Sequence, residues 1–445
     1  MKLPEQFVNQ MKMILNDSYS DFEESLQMPS PISIRLNPYK IENDFNLNLS
    51  TQIPWCQAAY YLQHRPVFTL DPFFHAGHYY VQEPASMFLD FILKSLEIPK
   101  NCNVLDLCSA PGGKSTLLVS YFSDEAFIHC HEYDPHRAQI LKHNLERWGT
   151  RNTFVTQGPI EQLSNLNMRY KIILVDAPCS GEGMFRKEPE ALKQWSLQKV
   201  KACTVMQQNI LNIAHKLCEP EGYIIYSTCT YNYEENENQL EGYVHNSTYK
   251  SVQISNPFAS ESFENNLFVY RFFPHKLASE GLTIGVIQKQ SDQKPVSFQS
   301  NSFHHKHKNT INLEDWINDP ADYQLIRIRD IYYAIHFKHL EKFNYLNSNT
   351  KFIGGSIPIG QIKGNIVYPE HALSMSLNLN SQIQNRDLEL QEALNFLRAT
   401  YSPTEHHKET KWVIAKYKTA HLGWFKSNPN GLKNYFPKNQ RIRNL

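Results

Sequence analysis

The chain has 445 residues, room for two or three domains that each bury a core, and its 41% hydrophobic and 12% aromatic content is that of an ordinary globular protein. Forty-four basic residues balance forty-four acidic ones, which excludes a uniformly cationic nucleic-acid binder and leaves the distribution of charge to decide. No apolar run approaches the ~18–20 residues of a membrane span, and Met1-Lys2-Leu3-Pro4-Glu5-Gln6 carries no signal core, so no membrane is expected and the expected address is cytoplasmic.

In chain order, residues 1–95 read as an N-terminal region with a helix over Glu5–Leu15 and a strand-like Ile32–Asn37. Residues 96–290 alternate strand and helix. Strands are expected at Asn103–Leu107, Ala126–His131, Thr153–Thr156, Lys171–Val175 and Gly222–Tyr226, and helices at Pro135–Trp148 and Leu197–Leu217. That alternation predicts an α/β fold with a mostly parallel sheet and helices on both faces. Leu267–Phe272 and Leu282–Val286 suggest an antiparallel hairpin at its edge.

The polar stretch Lys289–Asn312, with residues 291–312 as the linker proper, contains His304-His305-Lys306-His307-Lys308. Without a second ligand cluster it reads as solvated linker rather than metal tract. Residues 313–445 then form a separate mixed module with turns at Gly354-Gly355 and Gly360, divided here into 313–380 and a basic part, 381–445. Lys408–Leu445 holds nine Lys/Arg and one Asp/Glu, a local charge of +8, interleaved with Trp412, Tyr417, Trp424, Phe425, Tyr435 and Phe436. Cations mixed with aromatics suit phosphate contact and base stacking; the alternative is a solvated basic face.

Eight cysteines occur, none with CxxC spacing, so neither a disulfide framework nor a metal site is expected. Two of them follow strands: Asp176-Ala177-Pro178-Cys179 and Ser227-Thr228-Cys229-Thr230. Upstream stands a strand–turn–helix segment, Leu105-Asp106-Leu107-Cys108-Ser109-Ala110-Pro111-Gly112-Gly113-Lys114. Gly112 and Gly113 allow close backbone approach to a ligand. Gly113-Lys114-Ser115 imitates the end of an ATPase phosphate loop, but the first glycine that loop requires is Cys108 here, and the ATPase reading fails. Glu132 ends the second expected strand twenty residues after Gly112, the spacing at which a carboxylate reaches ribose hydroxyls.

The order and wording of these segments resemble the RsmB/NOP (Sun-type) family of RNA cytosine-C5 methyltransferases. The resemblance implies a Rossmann-like class I core that uses S-adenosyl-L-methionine, held by Cys108, Ser109, Ala110, Pro111, Gly112, Gly113, Lys114, Glu132, Gly158 and Asp176. It assigns Cys229 as nucleophile on cytosine C6, Cys179 as the helper that resolves the adduct, Asp176 as a contact to the cytosine edge, and Lys114 as a positioning charge. Amino-group methyltransferases carry a Pro-Pro-aromatic tetrapeptide in place of Asp176–Cys179, and DNA cytosine enzymes lack the second thiol motif. The family's acidic or amide position near the adenine falls at Val155-Thr156-Gln157-Gly158-Pro159, which has no carboxylate; Gln157 or the Gly158 backbone is the expected substitute.

Ser33-Ile34-Arg35-Leu36-Asn37 resembles the family's RNA-facing N-terminal motif, Tyr80–Met87 the segment entering the catalytic domain, and Arg271-Phe272-Phe273-Pro274-His275 a late strand motif. Gly423-Trp424-Phe425-Lys426 and Leu432–Lys438 resemble the PUA-like tail of the bacterial RsmF type of 16S ribosomal RNA methyltransferase, and Pro369–Leu373 part of the preceding module. The expected partner is therefore RNA, 16S ribosomal RNA or a small-subunit intermediate, with transfer RNA as an alternative target. A non-catalytic RNA-binding assembly factor is the alternative from another class.

Overall fold

The computed structural model describes residues 2–40, 47–290, 311–364, 366–404 and 411–443, and the histidine-rich run 304–308 lies outside them. Apolar residues of period two build five parallel strands: β1 (Asn103–Asp106), β2 (Phe127–Glu132), β3 (Thr153–Gln157), β4 (Tyr170–Asp176) and β5 (Cys218–Thr228). They lie in the order β3-β2-β1-β4-β5. The winding therefore reverses between β1 and β4, where open α/β sheets receive their ligands.

Val104 joins the core on one face of this sheet and Leu105 the core on the other; Ile172 and Leu174 alternate with Ile173 and Val175 in the same way. A parallel sheet covered on both sides needs such two-faced strands. Helices α1 (Gly113–Tyr121) and α2 (Pro135–Trp148) supply Leu117, Leu118, Leu141 and Leu145 to the first core, and α3 (Leu197–Leu217) supplies Ile210, Leu211, Ala214 and Leu217 to the second. The boundaries of α2 follow from local chemistry. Asp134 accepts the Arg137 N–H at 2.7 Å, Pro135 opens the first turn, and Gly149 at φ 91° ends the helix.

Beyond β5 the sheet continues antiparallel through β6 (Tyr249–Ser251), β7 (Ser260–Glu264), β8 (Leu267–Phe272) and β9 (Leu282–Lys289). The expected antiparallel pair forms between β8 and β9, but β9 lies against β5 and β7 is outermost. At the opposite edge β10 (Phe352–Gly355) runs antiparallel to β3, setting Gly355 against Phe154. This corrects the expectation that residues 313–445 stand apart with a turn at Gly354-Gly355. The two glycines lie inside a strand, because at Gly355 (φ 102°) a Cβ would sit 2.3 Å from the Thr153 carbonyl oxygen. Gly360 is likewise inside a strand, Ile357–Lys363.

The N-terminal region forms a four-stranded antiparallel sheet from Leu49–Ile53, Cys56–Leu62, Ser33–Leu36 and Tyr79–Val81. In its Ser33–Asn37 motif, Ser33, Ile34, Arg35 and Asn37 are buried. Arg35 is 2% exposed, donates to Gln82 Oε1 (2.9 Å), Thr116 Oγ1 (2.6 Å) and the Gly113 carbonyl (3.2 Å), and lies 4.7 Å over the Trp148 ring. A guanidinium carries enough donors to satisfy so many partners at once, and here it pins the N-terminal sheet to the start of α1.

Phe7, Met11, Leu15 and Phe22 from the first two helices pack on Phe185, Trp195 and Tyr231 beside the cysteine loops. Two further four-stranded sheets follow, Tyr323–Pro369 and Asn385–Asn434. Phe425 and Phe436 of the basic tail are buried against Phe396, and Trp424 is buried in a second core, where it meets Trp316. They hold the module together and are not free to stack on bases.

Candidate active site

The carboxyl ends of β1, β2, β4 and β5 open into one cavity of about 950 Å³. The turn after β1 is held from every side. Ser109 N–H donates to the His131 carbonyl (3.1 Å), Ala110 N–H to Glu132 Oε2 (3.3 Å), and Asn144 Nδ2 to the Pro111 carbonyl (2.8 Å). Gly112 stands at φ 109°, a conformation that favours glycine, and starts α1. Cys108, Ala110, Lys114, Glu132 and Asp176 line the cavity; Ser109, Pro111, Gly112, Gly113 and Gly158 are not among the residues that line it.

Gln157 is already engaged, donating to the Tyr133 carbonyl (2.8 Å) and accepting from Lys351 (2.6 Å). The Gly158 carbonyl accepts from His131. Beside Glu132 and Asp134, the cavity is lined by Glu161, whose Oε1 accepts from Asn209 Nδ2 at 2.8 Å. The strand end alone does not reveal it, because it follows the strand by a Gly-Pro turn.

At the other end the two strand-following cysteines meet, with Cys179 Sγ and Cys229 Sγ 2.8 Å apart and both thiols free. Asp176, the last residue of β4, forms an ion pair with Lys114 at 2.8 Å and accepts from Ser227 Oγ at 2.8 Å. Burial opposes the Lys114 ammonium, but the charge and hydrogen bond of Asp176 outweigh it and hold its pKa above the ordinary lysine value. The hydrogen bond to Cys229, then burial, push the Cys179 thiol far up, so it stays protonated beside its neighbour. Burial also raises the Cys108 thiol well above the usual range and Asp106 to about 7.

Two fully buried carboxylates that follow the two cysteine segments fix the loops. Glu235 accepts from Ser180 N–H (2.8 Å), Ser180 Oγ (2.5 Å), Asn232 Nδ2 (2.8 Å) and Gln207 Nε2 (3.0 Å). Glu182 accepts from the Tyr231 and Asn232 N–H groups (2.8 and 3.1 Å), Asn232 Nδ2 (2.9 Å), Gln10 Nε2 (3.0 Å) and Trp195 Nε1 (3.2 Å). The loops are thus tied to each other through Ser180, next to Cys179, and through Tyr231 and Asn232, just past Cys229. The Gly183 N–H also donates to the Cys229 carbonyl at 2.8 Å.

Gly281 packs so closely that a Cβ would lie 2.1 Å from Tyr231 Oη and 2.5 Å from Gly183 Cα. Gly281→Ala is expected to cost about 1–3 kcal/mol of stability through overpacking. It should also slow any reaction at the thiols by displacing Gly183, both measured by denaturant unfolding and turnover.

With this geometry in view, the family comparisons are specific. A model described as 16S rRNA methyltransferase RsmB/F matches residues 93–288, one for the N-terminal domain of 16S rRNA methyltransferase RsmF matches 3–84, and one for the methyltransferase RsmF PUA domain matches 384–442. The chain belongs to the RsmB/F methyltransferase family.

Among curated RsmB/F relatives, the ribosomal RNA small subunit methyltransferase F of Erwinia tasmaniensis is 31% identical over 316 residues, covering 66% of this chain and 65% of that protein. The protein of the same name from Vibrio cholerae serotype O1 is 26% identical over 98% of this chain and 97% of its own length. Among solved structures, a methyltransferase homolog protein from Pyrococcus horikoshii superposes with TM-score 0.56 at 23% identity, covering 64% of this chain and 95% of that one. NSun6 from Pyrococcus horikoshii, solved with SFG, gives 0.55 at 19%, covering 65% and 99%. These structural likenesses show the Rossmann-like fold alone, and the PUA domain at the C-terminal end rests on the family match to residues 384–442.

Proposed function

We propose that this protein methylates C5 of a cytosine in small-subunit ribosomal RNA with S-adenosyl-L-methionine as donor, through a transient bond from Cys229 to C6. The observation that carries the proposal is the pair of thiols 2.8 Å apart beside the Lys114–Asp176 ion pair, in the same cavity as Glu132.

The donor set fits S-adenosyl-L-methionine. Glu132 at the end of β2 suits a ribose diol, the Cys108–Lys114 turn gives backbone close approach, and Asp176 suits an aminium or sulfonium. When bound, the cofactor supplies an electrophilic methyl group.

The chain's own residues supply the rest. Cytosine C5 is a poor nucleophile, and addition of the Cys229 sulfur to C6 moves electron density onto it. Asp176, held by Lys114 and Ser227, is placed to meet the cytosine edge, accepting from the 4-amino group or, when it carries a proton, donating to N3, while the Lys114 ammonium steadies the negative charge that develops on the ring.

After methylation the C5 proton must leave before Cys229 can be expelled. Cys179 is suited to take it. The main cause of its raised pKa is the hydrogen bond to Cys229, and that cause disappears once Cys229 sulfur is bonded to carbon. Burial still raises it, so Cys179 acts after its own proton has passed to solvent: as thiolate it takes the C5 proton and becomes a thiol again, the C5–H electrons form the C5–C6 double bond, and Cys229 leaves as thiolate. A duplex or folded RNA must extrude the base to reach these groups.

The test is transfer of a radioactive methyl group to small ribosomal subunits and, in parallel, transfer RNA from cells lacking the protein, followed by nucleoside separation. Label in 5-methylcytidine is expected. Label in N4-methylcytidine or a methylated adenosine would refute the chemistry, and label confined to transfer RNA would refute the ribosomal target.

A further inference from the structure

The C-terminal sheets present a surface that the catalytic reading does not use. Tyr368, on strand Ile366–Pro369 of the first sheet, meets Trp412, which opens strand Trp412–Tyr417 of the second, at 5.5 Å and 73°. Trp412 in turn meets Tyr435 at 4.9 Å and 79°. All three rings are half-exposed, unlike the buried Trp424, Phe425 and Phe436 nearby. The indole is anchored by its Nε1–H to the Val367 carbonyl at 2.9 Å, so the cluster crosses from one sheet to the other as a fixed unit.

Three lysines rest on these rings. Lys363 lies 5.1 Å from the Tyr368 centroid, Lys426 4.1 Å from Tyr368 and 5.3 Å from Trp412, and Lys433 5.6 Å from Tyr435. Lys426 also donates to Tyr368 Oη at 2.9 Å. Among the described residues none of the three forms an ion pair; in this region that bond is made by Lys416 with Asp387. The hydrogen bond and charge of Lys426, with Lys363 and Lys433 behind it, lower the Tyr368 phenol, as expected where positive charge is concentrated without a counter-ion.

We propose that Lys363, Lys426 and Lys433, set around Tyr368, Trp412 and Tyr435, form a platform spanning both C-terminal sheets that holds a single-stranded stretch of the RNA substrate. The ammonium groups meet phosphates and the ring edges and faces meet bases. Unpaired cations on a rigid aromatic base match a polyanion that also carries stacking surfaces. Contacts of this kind are tolerant of sequence, so the platform positions the RNA while the cavity chooses the base. The inference rests on the RNA reading of the active site and adds the surface that grips the strand.

The test uses the full chain and a labelled, unstructured 20-nucleotide RNA of mixed sequence, without methyl donor. The triple variant Lys363→Gln/Lys426→Gln/Lys433→Gln is expected to bind at least about tenfold more weakly. Its dependence of log affinity on log salt should fall by about 2, at roughly 0.7 per lost single-strand phosphate contact. Binding of S-adenosylhomocysteine should stay unchanged, showing an intact donor cavity, and a triple Lys→Arg variant should retain RNA affinity.

Unchanged affinity and salt slope in the triple Gln variant would overturn the platform while leaving the catalytic reading intact. Equal loss on a blunt duplex would overturn its preference for single strands. Tighter binding of poly-glutamate than of RNA would assign the surface to an acidic protein instead. Failure of the catalytic reading shows separately, as absence of 5-methylcytidine.

Discussion

Cys179→Ala is expected to stall the protein on its RNA. The variant keeps Cys229, so the bond to C6 still forms, but the group placed 2.8 Å away to take the C5 proton is gone. Elimination then waits on solvent, and a covalent protein–RNA species should accumulate that survives a denaturing gel. Multiple turnover should fall by about 10²–10⁴-fold, the usual contribution of a positioned acid or base, while the first methyl transfer is less affected. Cys229→Ala should show neither adduct nor methylation. A double variant lacking both thiols should behave as Cys229→Ala, because the second thiol has nothing to resolve without the first. Turnover by Cys179→Ala at the wild-type rate without adduct would remove Cys179 from the reaction.

Removal of either buried carboxylate should produce the largest loss of stability. Glu235→Ala strands four hydrogen-bond donors inside the protein, and Glu182→Ala strands five. A buried donor without a partner costs about 1–3 kcal/mol, and breaking a buried charged network by deleting one member costs about 3–5 kcal/mol. Each variant should therefore lose about 3–5 kcal/mol. That is a large fraction of the ~5–15 kcal/mol of a typical domain.

Activity should fall further than stability alone accounts for, since both loops would lose their registration. Glu182→Gln keeps the shape but replaces one accepting oxygen with a donor, and should lie between. Urea unfolding followed by tryptophan fluorescence reports the change directly, as Trp195 donates to Glu182. An unfolding midpoint unchanged in Glu235→Ala would contradict the clamp.

The parts legible in the sequence are those set by neighbouring residues. Helix Pro135–Trp148 is bounded by an aspartate, a proline and a glycine that act within one turn of its ends. The strands leading to Asp176 and Cys229 announce themselves by apolar runs. Their alternation with helices gives the mostly parallel sheet but not the strand order, whose reversal creates the cavity.

What escaped depended on distant partners. Arg35 looks like a surface cation until Gln82, Gly113 and Thr116 close around it. Gly354-Gly355 reads as a turn, yet β3 lies about two hundred residues earlier waiting to be paired. The basic tail contains both core and surface aromatics, and only the sheets beneath Trp424 and Phe425 separate them from Trp412 and Tyr435. Glu182 and Glu235 lie a few residues past the two cysteines, but their partners come in part from Gln10, Trp195 and Gln207, on other elements.

The central claim is that sulfur at position 229 bonds to the pyrimidine ring. RNA carrying 5-fluorocytosine at the target provides the most direct measurement, because fluorine at C5 cannot depart as a proton does and the adduct cannot be resolved. Wild-type protein incubated with this RNA and S-adenosyl-L-methionine, digested and analysed by mass spectrometry, should yield a peptide with the modified nucleotide attached to Cys229. Attachment at Cys179 would reverse the roles of the two thiols, and methylation of cytosine with no trapped peptide would contradict covalent catalysis altogether.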